Sequence, residues 1–346
     1  MESLPVLYAV GFYPWKKRIL RAFRPNEQIK FLRSPQFLPQ KAGLHVAAWG
    51  LDFPTESFPK DAHLTRYEDG FIRSVGLGAA FAPAYSWVAD RTGIYFDARH
   101  PSDLEIMLQR DSFPSGLIER AQSLHDKILK SGITKYNLPA VNWTRPQSTK
   151  KVILVPGQVE TDSSILYGSP LTRSNIALLR TVRGLNSDAY VIYKPHPDVV
   201  SGRRREGLGE NKVSDSCDEI VTSAGMDHLL ATVDEVHVMT SLAGFEAMLR
   251  GKRVVTYGQP FYAGWGLTED RCPPPRRTRK LHLSELIAGA LIKYPLYLSP
   301  QTNCPCEAEH LIDALRAEAK NERLSLSEKI LRHLSAWPLW AKYVAK

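Results

Sequence analysis

A chain of 346 residues is too long for one small hydrophobic core and suits two domains of ordinary size. Its 43% hydrophobic and 23% charged residues, with no long low-complexity tract, exclude a disordered or fibrous chain. Lys and Arg outnumber Asp and Glu by 45 to 36, a formal net charge of +9. That balance favours anionic partners: a nucleotide, an acidic sugar, nucleic acid or an acidic membrane surface.

In chain order, MESLPVLYAVGFYPWKKRIL lacks the basic start and unbroken apolar run of a signal peptide. The best membrane-span candidate, LGAAFAPAYSWVA, is short and carries Pro83, so a cytoplasmic protein is expected. LYAVGF, LHVAAWG, LTRYEDGF and GIYFDA read as strands; PSDLEIMLQR and PSGLIERAQSLHDKILKSG read as helices opened by proline-serine pairs. YNLPAVNWTRPQST, 136–149, is polar and aperiodic and reads as a linker. After it, KKVILVPGQ, AYVIYKPHP, EVHVMTS and KRVVTYGQ read as strands, alternating with helices SNIALLRTVRGL, MDHLLATV and LAGFEAMLRG. The rhythm predicts an α/β fold with mostly parallel sheets: residues 1–140, residues 150–300, and a helical tail over 301–346, with a cleft between the first two. Cys217, Cys272, Cys304 and Cys306 form no disulfide framework. Cys304-Pro305-Cys306 with His310 lacks the two-residue metal-knuckle spacing, so no metal site is expected.

Ligands of open α/β sheets sit beyond the carboxyl ends of the strands. In the first half that rule selects Glu68-Asp69-Gly70, with Arg73 close behind: one aimed acid at a strand end, next to a glycine that permits a sharp turn or a close approach. In the second half it selects PGQVETDSS, with Gln158, Glu160 and Asp162, and KPHPD, whose Lys194 and His196 project to one side of a proline-stiffened segment and suit a phosphate. A proline-fixed turn with a merely hydrogen-bonded histidine is the plain alternative. TSLAGFEAMLRG enters a helix through Thr240 or Ser241, a seat for phosphate, with Gly244 for close approach and Glu246 for a ribose diol. An ordinary capped helix packing Leu242, Phe245 and Leu249 explains the same residues. The loop GQPFYAGWG, with Gln259 and Trp265, exposes apolar surface unless it shapes a pocket or packs on the other domain.

Taken together, AVGFYPWKK, EDGFIRSVGLG, GIYFDARHPSDLE, PGQVETDSS, YVIYKPHPDVVSG and VHVMTSLAGFEAMLRGKRVVTYGQPFYAGWGLTED resemble the bacterial capsule-polysaccharide β-Kdo transferases of the KpsC type. The resemblance runs from about residue 8 to about residue 270. It implies a GT-B glycosyltransferase of two Rossmann-like domains, an acceptor domain carrying the Glu-Asp-Gly motif and a CMP-sugar domain, working without a metal or other cofactor. CMP-β-Kdo as donor and a β-linked product mean retention, most simply two inversions through a carboxylate. The resemblance assigns Asp69 as nucleophile with Glu68 organising its loop, and His196 to the donor phosphate. Thr240, Ser241 and Glu246 fall to the phosphate and ribose, and Arg73 or Lys194 to the Kdo carboxylate. The rim residues Glu160, Asp162, Gln259 and Trp265 are left for substrate. Members of this family often carry two such modules in tandem, so a second transferase module or other capsule-assembly proteins are implied partners.

The implied acceptor is a Kdo-terminated glycolipid at the cytoplasmic face of the inner membrane. SEKILRHLSAWPLWAKYVAK, 327–346, has the tryptophan and basic composition of an interfacial helix, and equally of a helix packed on the body. GRRREG and PPPRRTRK add basic charge, read as attraction to anionic lipid or acceptor or simply as solvated charge. A nucleic-acid-binding protein would need its cations and aromatics along one face, and here they are scattered. A carbohydrate-binding module would not need Asp69 beside a phosphate seat. Among enzymes, the competing readings are a sialyltransferase-like CMP-sugar enzyme and a transferase placing the first Kdo on lipid.

Overall fold

Short apolar runs bounded by polar turns form the strands of the computed structural model, which describes residues 4–75, 82–135, 142–147 and 151–320. The first half contributes β1 (Val6–Val10), α1 (Pro14–Phe23), β2 (Gln28–Leu32), β3 (His45–Trp49), β4 (His63–Asp69) and β5 (Ser86–Asp90). β2, β1, β3 and β4 lie side by side and parallel, and β5 runs antiparallel to β4 with Asp69 opposite Trp87. Alternation along these strands buries both faces. Phe12, Leu20, Trp49, Tyr67 and Trp87 fill one side under α1, and Val10, Leu38, Val46 and Phe58 fill the other. Then come α2 (Asp103–Arg110) and α3 (Ser115–Ser131). The Ser102 hydroxyl caps α2 by accepting the Glu105 N–H at 3.1 Å, and Gly132 closes α3 in the left-handed region at φ 67°.

The second half builds β6 (Val152–Pro156), α4 (Ser163–Gly168), α5 (Asn175–Leu185), β7 (Tyr190–Lys194), α6 (Pro197–Val200), β8 (Glu219–Ile220), α7 (Met226–Thr232), β9 (Glu235–Val238), α8 (Leu242–Leu249), β10 (Arg253–Thr256) and β11 (Glu269–Asp270). The sheet is parallel throughout, in the order β11-β10-β9-β6-β7-β8. The order reverses between β6 and β9, so the loops leaving those two strands diverge to opposite faces and open a crevice at their carboxyl ends.

The chain then returns. α9 (Leu283–Ile287) and a π-helical turn over Ala288–Lys293 lead to β12 (Pro295–Leu298), which pairs antiparallel with β5 in the first sheet; β13 (Pro305–Cys306) and α10 (Ala308–Lys320) follow. The expected boundary at 300 is therefore corrected: β12 belongs to the first sheet, because the open side of β5 takes it. GIYFDA, expected as a strand, is irregular. The Asp90 carboxylate accepts the Thr92 and Gly93 N–H groups and turns the chain, leaving Ile94 and Phe96 to pack inward from a loop. The last four residues of the apolar stretch weighed as a membrane span, Ser86 to Ala89, belong to β5, and among the described residues no helix is long and apolar enough to cross a membrane. Of the expected linker only 142–147 is described, with the Trp143 indole donating to Glu219 at 3.0 Å. The stretch 327–346 lies outside the described residues.

Within PPPRRTRK the three arginines are engaged in the fold, while Lys280 is exposed. Arg276 and Arg277 both grip Glu105 of α2, at 2.8 and 2.9 Å, and Arg279 reaches the Asp111 carbonyl at 2.6 Å. These arginines bind the two halves together. Phe261 stacks on Phe71 at 4.3 Å between ring centroids, so the aromatic loop after β10 packs partly on the first half.

Gly70 closes β4 by donating to the Ser86 carbonyl at 2.7 Å, and a Cβ built there would collide with the Ser86 side chain. The glycine is required by the approach of β5 rather than by a tight turn. Gly70→Ala is expected to destabilise the protein by about 1–3 kcal/mol through overpacking; an unchanged melting temperature would remove this account.

Candidate active site

The carboxyl ends of both sheets face a cleft of about 2090 Å³. On the first wall, the end of β4 places Glu68 and Asp69 in the lining. Asp69 Oδ1 accepts from Lys16 Nζ at 2.9 Å and Oδ2 accepts from Arg73 Nε at 2.6 Å. Burial would raise the Asp69 pKa, but the Lys16 and Arg73 charges outweigh it and hold the carboxyl well below the usual range. Glu68 moves the other way: burial, then the Asp69 charge beside it, push it up to about 7. Glu68 Oε1 also accepts the Asp69 N–H at 2.9 Å, so it fixes the backbone carrying its neighbour. The two adjacent acids are thus held in different states, one ionised and one poised near neutrality.

Lys16 went unnoticed in the sequence. It lies in the first turn of α1, where a cation opposes the helix dipole and no acid accompanies it. Its ammonium rests 3.2 Å from the centroid of the Trp49 ring as well as on Asp69. Burial lowers its pKa, with Asp69 and Glu68 opposing. A charge seated against the dipole, directly after YPW, is the signal that could have found it.

On the second wall, the switch point between β6 and β9 is stitched by Gln158. Its amide donates to Thr240 Oγ1 at 3.0 Å and accepts the Thr240 N–H at 2.9 Å. Ser241 caps α8 by accepting the Ala243 N–H at 3.2 Å, and Thr240, Ser241 and Glu246 line the cleft. Burial pushes Glu246 up to about 7; it accepts the Lys135 N–H at 2.6 Å and is not the solvated residue of the plainer reading. Lys194 lines the cleft while its ammonium donates to the Ala224 carbonyl at 2.8 Å, and burial lowers its pKa.

His196 caps α6. Its Nδ1 accepts the Asp198 N–H at 3.2 Å, which leaves the ring proton on Nε2. Burial, aided by the Lys135 and Arg204 charges, lowers its pKa to about 4. It is a neutral hydrogen-bond donor at physiological pH. Of the two basic loops, GRRREG is the one that faces the cleft, through Arg203, Arg204 and Arg205. Glu160 pins that loop by accepting the Leu208 N–H at 3.1 Å while also accepting the Asn175 N–H at 2.7 Å, so its carboxylate is a structural tie. Asp162 lines the cleft with its pKa raised by burial against the opposing Arg204 and Lys135 charges.

Three expected site residues lie away from the cleft lining. Gly244 gives room to the Tyr262 hydroxyl, which a Cβ there would strike. Gln259 donates its N–H to the Gly168 carbonyl at 2.7 Å. Trp265 is wholly buried, with its indole donating to the Phe261 carbonyl at 2.8 Å and Arg277 over its ring. Among the described residues no group of three or more His, Cys, Asp or Glu side chains is placed to hold a metal ion.

Residues 55–299 match the family described as Capsule polysaccharide biosynthesis protein. The chain is 46% identical over 311 residues to the Capsule polysaccharide modification protein LipA of Neisseria meningitidis serogroup B, covering 88% of this chain and 44% of that protein. It is 37% identical to the Lipopolysaccharide-processing protein LpsZ of Rhizobium meliloti, covering 97% of this chain and 80% of that protein. It thus spans less than half the length of LipA. Among solved structures, the β-Kdo 2,7 transferase of Thermosulfurimonas dismutans KpsC superposes with a TM-score of 0.77 at 40% identity, covering 90% of this chain and 99% of that one. The β-Kdo 2,4 transferase of the same protein gives 0.77 at 29% identity, covering 91% and 99%.

Proposed function

The chain belongs to the capsule polysaccharide biosynthesis protein family, and from that premise we propose that it is a retaining β-Kdo transferase of GT-B architecture. It moves Kdo from CMP-β-Kdo to a Kdo-terminated glycolipid at the cytoplasmic face of the inner membrane. The observation that carries this reading is one ionised carboxylate, Asp69, set across a single cleft from a cluster of phosphate-binding groups. The identity shared with the 2,7 transferase, 40% against 29%, favours a 2,7 linkage.

In the first step an Asp69 oxygen bonds to the anomeric carbon as the C–O bond to phosphate breaks and CMP leaves as an anion. His196 Nε2–H, Lys194 and the start of α8 stabilise that anion, so no metal is required; adding a chelator is expected to leave the transfer rate unchanged. The donor carries a carboxylate on the reacting carbon, which competes for Arg73 and Lys16 and loosens one Asp69 oxygen for attack. In the second step the acceptor hydroxyl attacks the same carbon, Asp69 departs, and the proton passes to Glu68. A base must be deprotonated to act, so the transfer rate is expected to climb with pH through the neutral range and level off above it. Glu68→Gln should flatten that rise as well as slow the reaction, and an undiminished rise in the variant would remove Glu68 from the proton path.

The direct test is a transfer assay with CMP-Kdo generated in place and a synthetic Kdo-terminated acceptor, the product being analysed by mass spectrometry and NMR. A β-linked product is expected, and no product would overturn the assignment of donor or acceptor. His196 gives a sharper check on the phosphate seat. His196→Ala should weaken CMP binding about tenfold or more, because a buried donor to an anion is lost. His196→Gln, which donates without ever carrying charge, should keep most of the affinity; equal loss in both variants would mean the imidazole does not act as a neutral donor.

A further inference from the structure

Tyr13 and Trp15 flank Pro14 at the start of α1 and line the cleft on the Asp69 side. Their rings lie nearly parallel, 12° apart with centroids separated by 4.9 Å. They are 36% and 39% exposed, whereas Trp49, Tyr67, Phe71 and Trp87 are buried and Tyr95 is partly buried. We propose that this stacked pair is the acceptor platform, on which a pyranose ring of an acidic saccharide lies with its C–H face against the aromatic rings. The proposal rests on the transferase reading above.

Three observations carry it. First, an exposed, pre-stacked aromatic pair inside a cleft offers a rigid apolar face at little entropic cost, and the electron-rich face of an indole attracts the polarised C–H groups of a sugar. Second, the platform is held in register with the chemistry. Lys16, the next residue, reaches Asp69 at 2.9 Å and sits over Trp49, so a ring on Trp15 is placed relative to the reacting acid by a single helical turn. Third, the charges sort the two walls. The phosphate-binding groups, His196, Lys194 and the start of α8, lie on the opposite wall, so the nucleotide is accounted for there. On the platform side the exposed Arg18 lies one turn further along α1, and Arg316 of α10 lines the same cleft; both suit the carboxylates of an acidic sugar. A lipid chain would call for an apolar surround, and these residues are cationic.

The experiment is an equilibrium titration of the full chain with a synthetic Kdo-terminated glycoside, with CMP titrated in parallel, followed by ligand-observed NMR. Wild-type protein is expected to bind the glycoside and to shift the ring protons of one sugar face upfield. Trp15→Ala and Tyr13→Ala should each raise the glycoside Kd about tenfold, leave the CMP Kd within about twofold, and abolish the upfield shift. Trp15→Phe, which keeps an aromatic face, should restore most of the affinity. Glycoside binding that is absent in wild type, or unchanged in both alanine variants, overturns the platform. So does a parallel loss of CMP affinity, which would mark the pair as structural. The two readings fail separately: Trp15-dependent glycoside binding without any product overturns the donor assignment alone, and product formed with an unchanged acceptor KM in Trp15→Ala overturns the platform alone.

Discussion

Asp69→Asn is expected to lower transfer by three or more orders of magnitude, on the scale of losing a nucleophile. The substitution keeps the shape of the side chain and one carbonyl oxygen but cannot form the glycosyl ester. Its second effect follows from the two ion pairs at 2.9 and 2.6 Å. Lys16 and Arg73 are nearly buried, and the substitution removes the negative charge that both of them pair with. The melting temperature should therefore fall, and Lys16→Met in the Asp69→Asn background should restore part of it. On the proposed reading CMP is held by the other wall, so its affinity should be retained. The decisive readout is covalent: wild-type protein given CMP-Kdo without acceptor should carry one Kdo residue, which peptide fragmentation should place on Asp69 itself. No adduct there, or an adduct on Glu68, would reassign the nucleophile.

The parts of this architecture that sequence exposes are those decided locally. VILVP and YVIYK are short, largely apolar runs and EVHV alternates valine with Glu235 and His237; each ends in residues that a plain connecting loop does not need. Gln158, Lys194, His196, Thr240 and Glu246 could thus be brought to one cleft from strand order alone. Long-range choices were hidden. Nothing in PLYL says that it will return across the molecule to pair with SWVAD, since any strand with a free edge could receive it. QIKFL is an edge strand, half exposed, whose alternation is too weak to stand out. GIYFDA has the composition of a strand, yet the Asp90 carboxylate captures two N–H groups and turns the backbone first.

The same division holds at the site. Asp69 was legible because a carboxylate before glycine at a strand end is conspicuous. Its partner Lys16 was not, because 53 residues separate them and only the parallel packing of β1, β3 and β4 brings α1 over the end of β4. Gly244 and Trp265 misled because glycine and aromatic residues near a strand end serve a ligand pocket and internal packing equally well, and Gln259 because its backbone rather than its side chain does the tying. Here Phe261 stacks across on Phe71, while Trp265 is buried within its own loop.

That contact sets up the second large effect. Arg277→Ala is expected to destabilise the protein by about 3–5 kcal/mol, the usual result of breaking a buried charge pair from one side. Arg277 is 3% exposed at its side chain and Glu105 7%. One guanidinium joins Glu105 of α2 to the Pro260 and Ala263 carbonyls, so a single side chain holds the aromatic loop of the second half against the first. Its removal takes a donor from two buried carbonyls, of which Pro260 keeps the Ala263 N–H, and leaves Glu105 with Arg276 alone. Against a total stability of about 5–15 kcal/mol, that loss should lower the melting temperature by roughly 10 °C. Arg277→Lys should recover little, because a point charge cannot serve a carboxylate and two carbonyls in the fork geometry of a guanidinium. Glu105→Ala alone should cost a similar amount, and the double substitution Glu105→Ala with Arg277→Ala should cost clearly less than the sum. Additive losses would mean that the two side chains act independently. The cleft would then owe its geometry to the Phe71–Phe261 stack rather than to this pair.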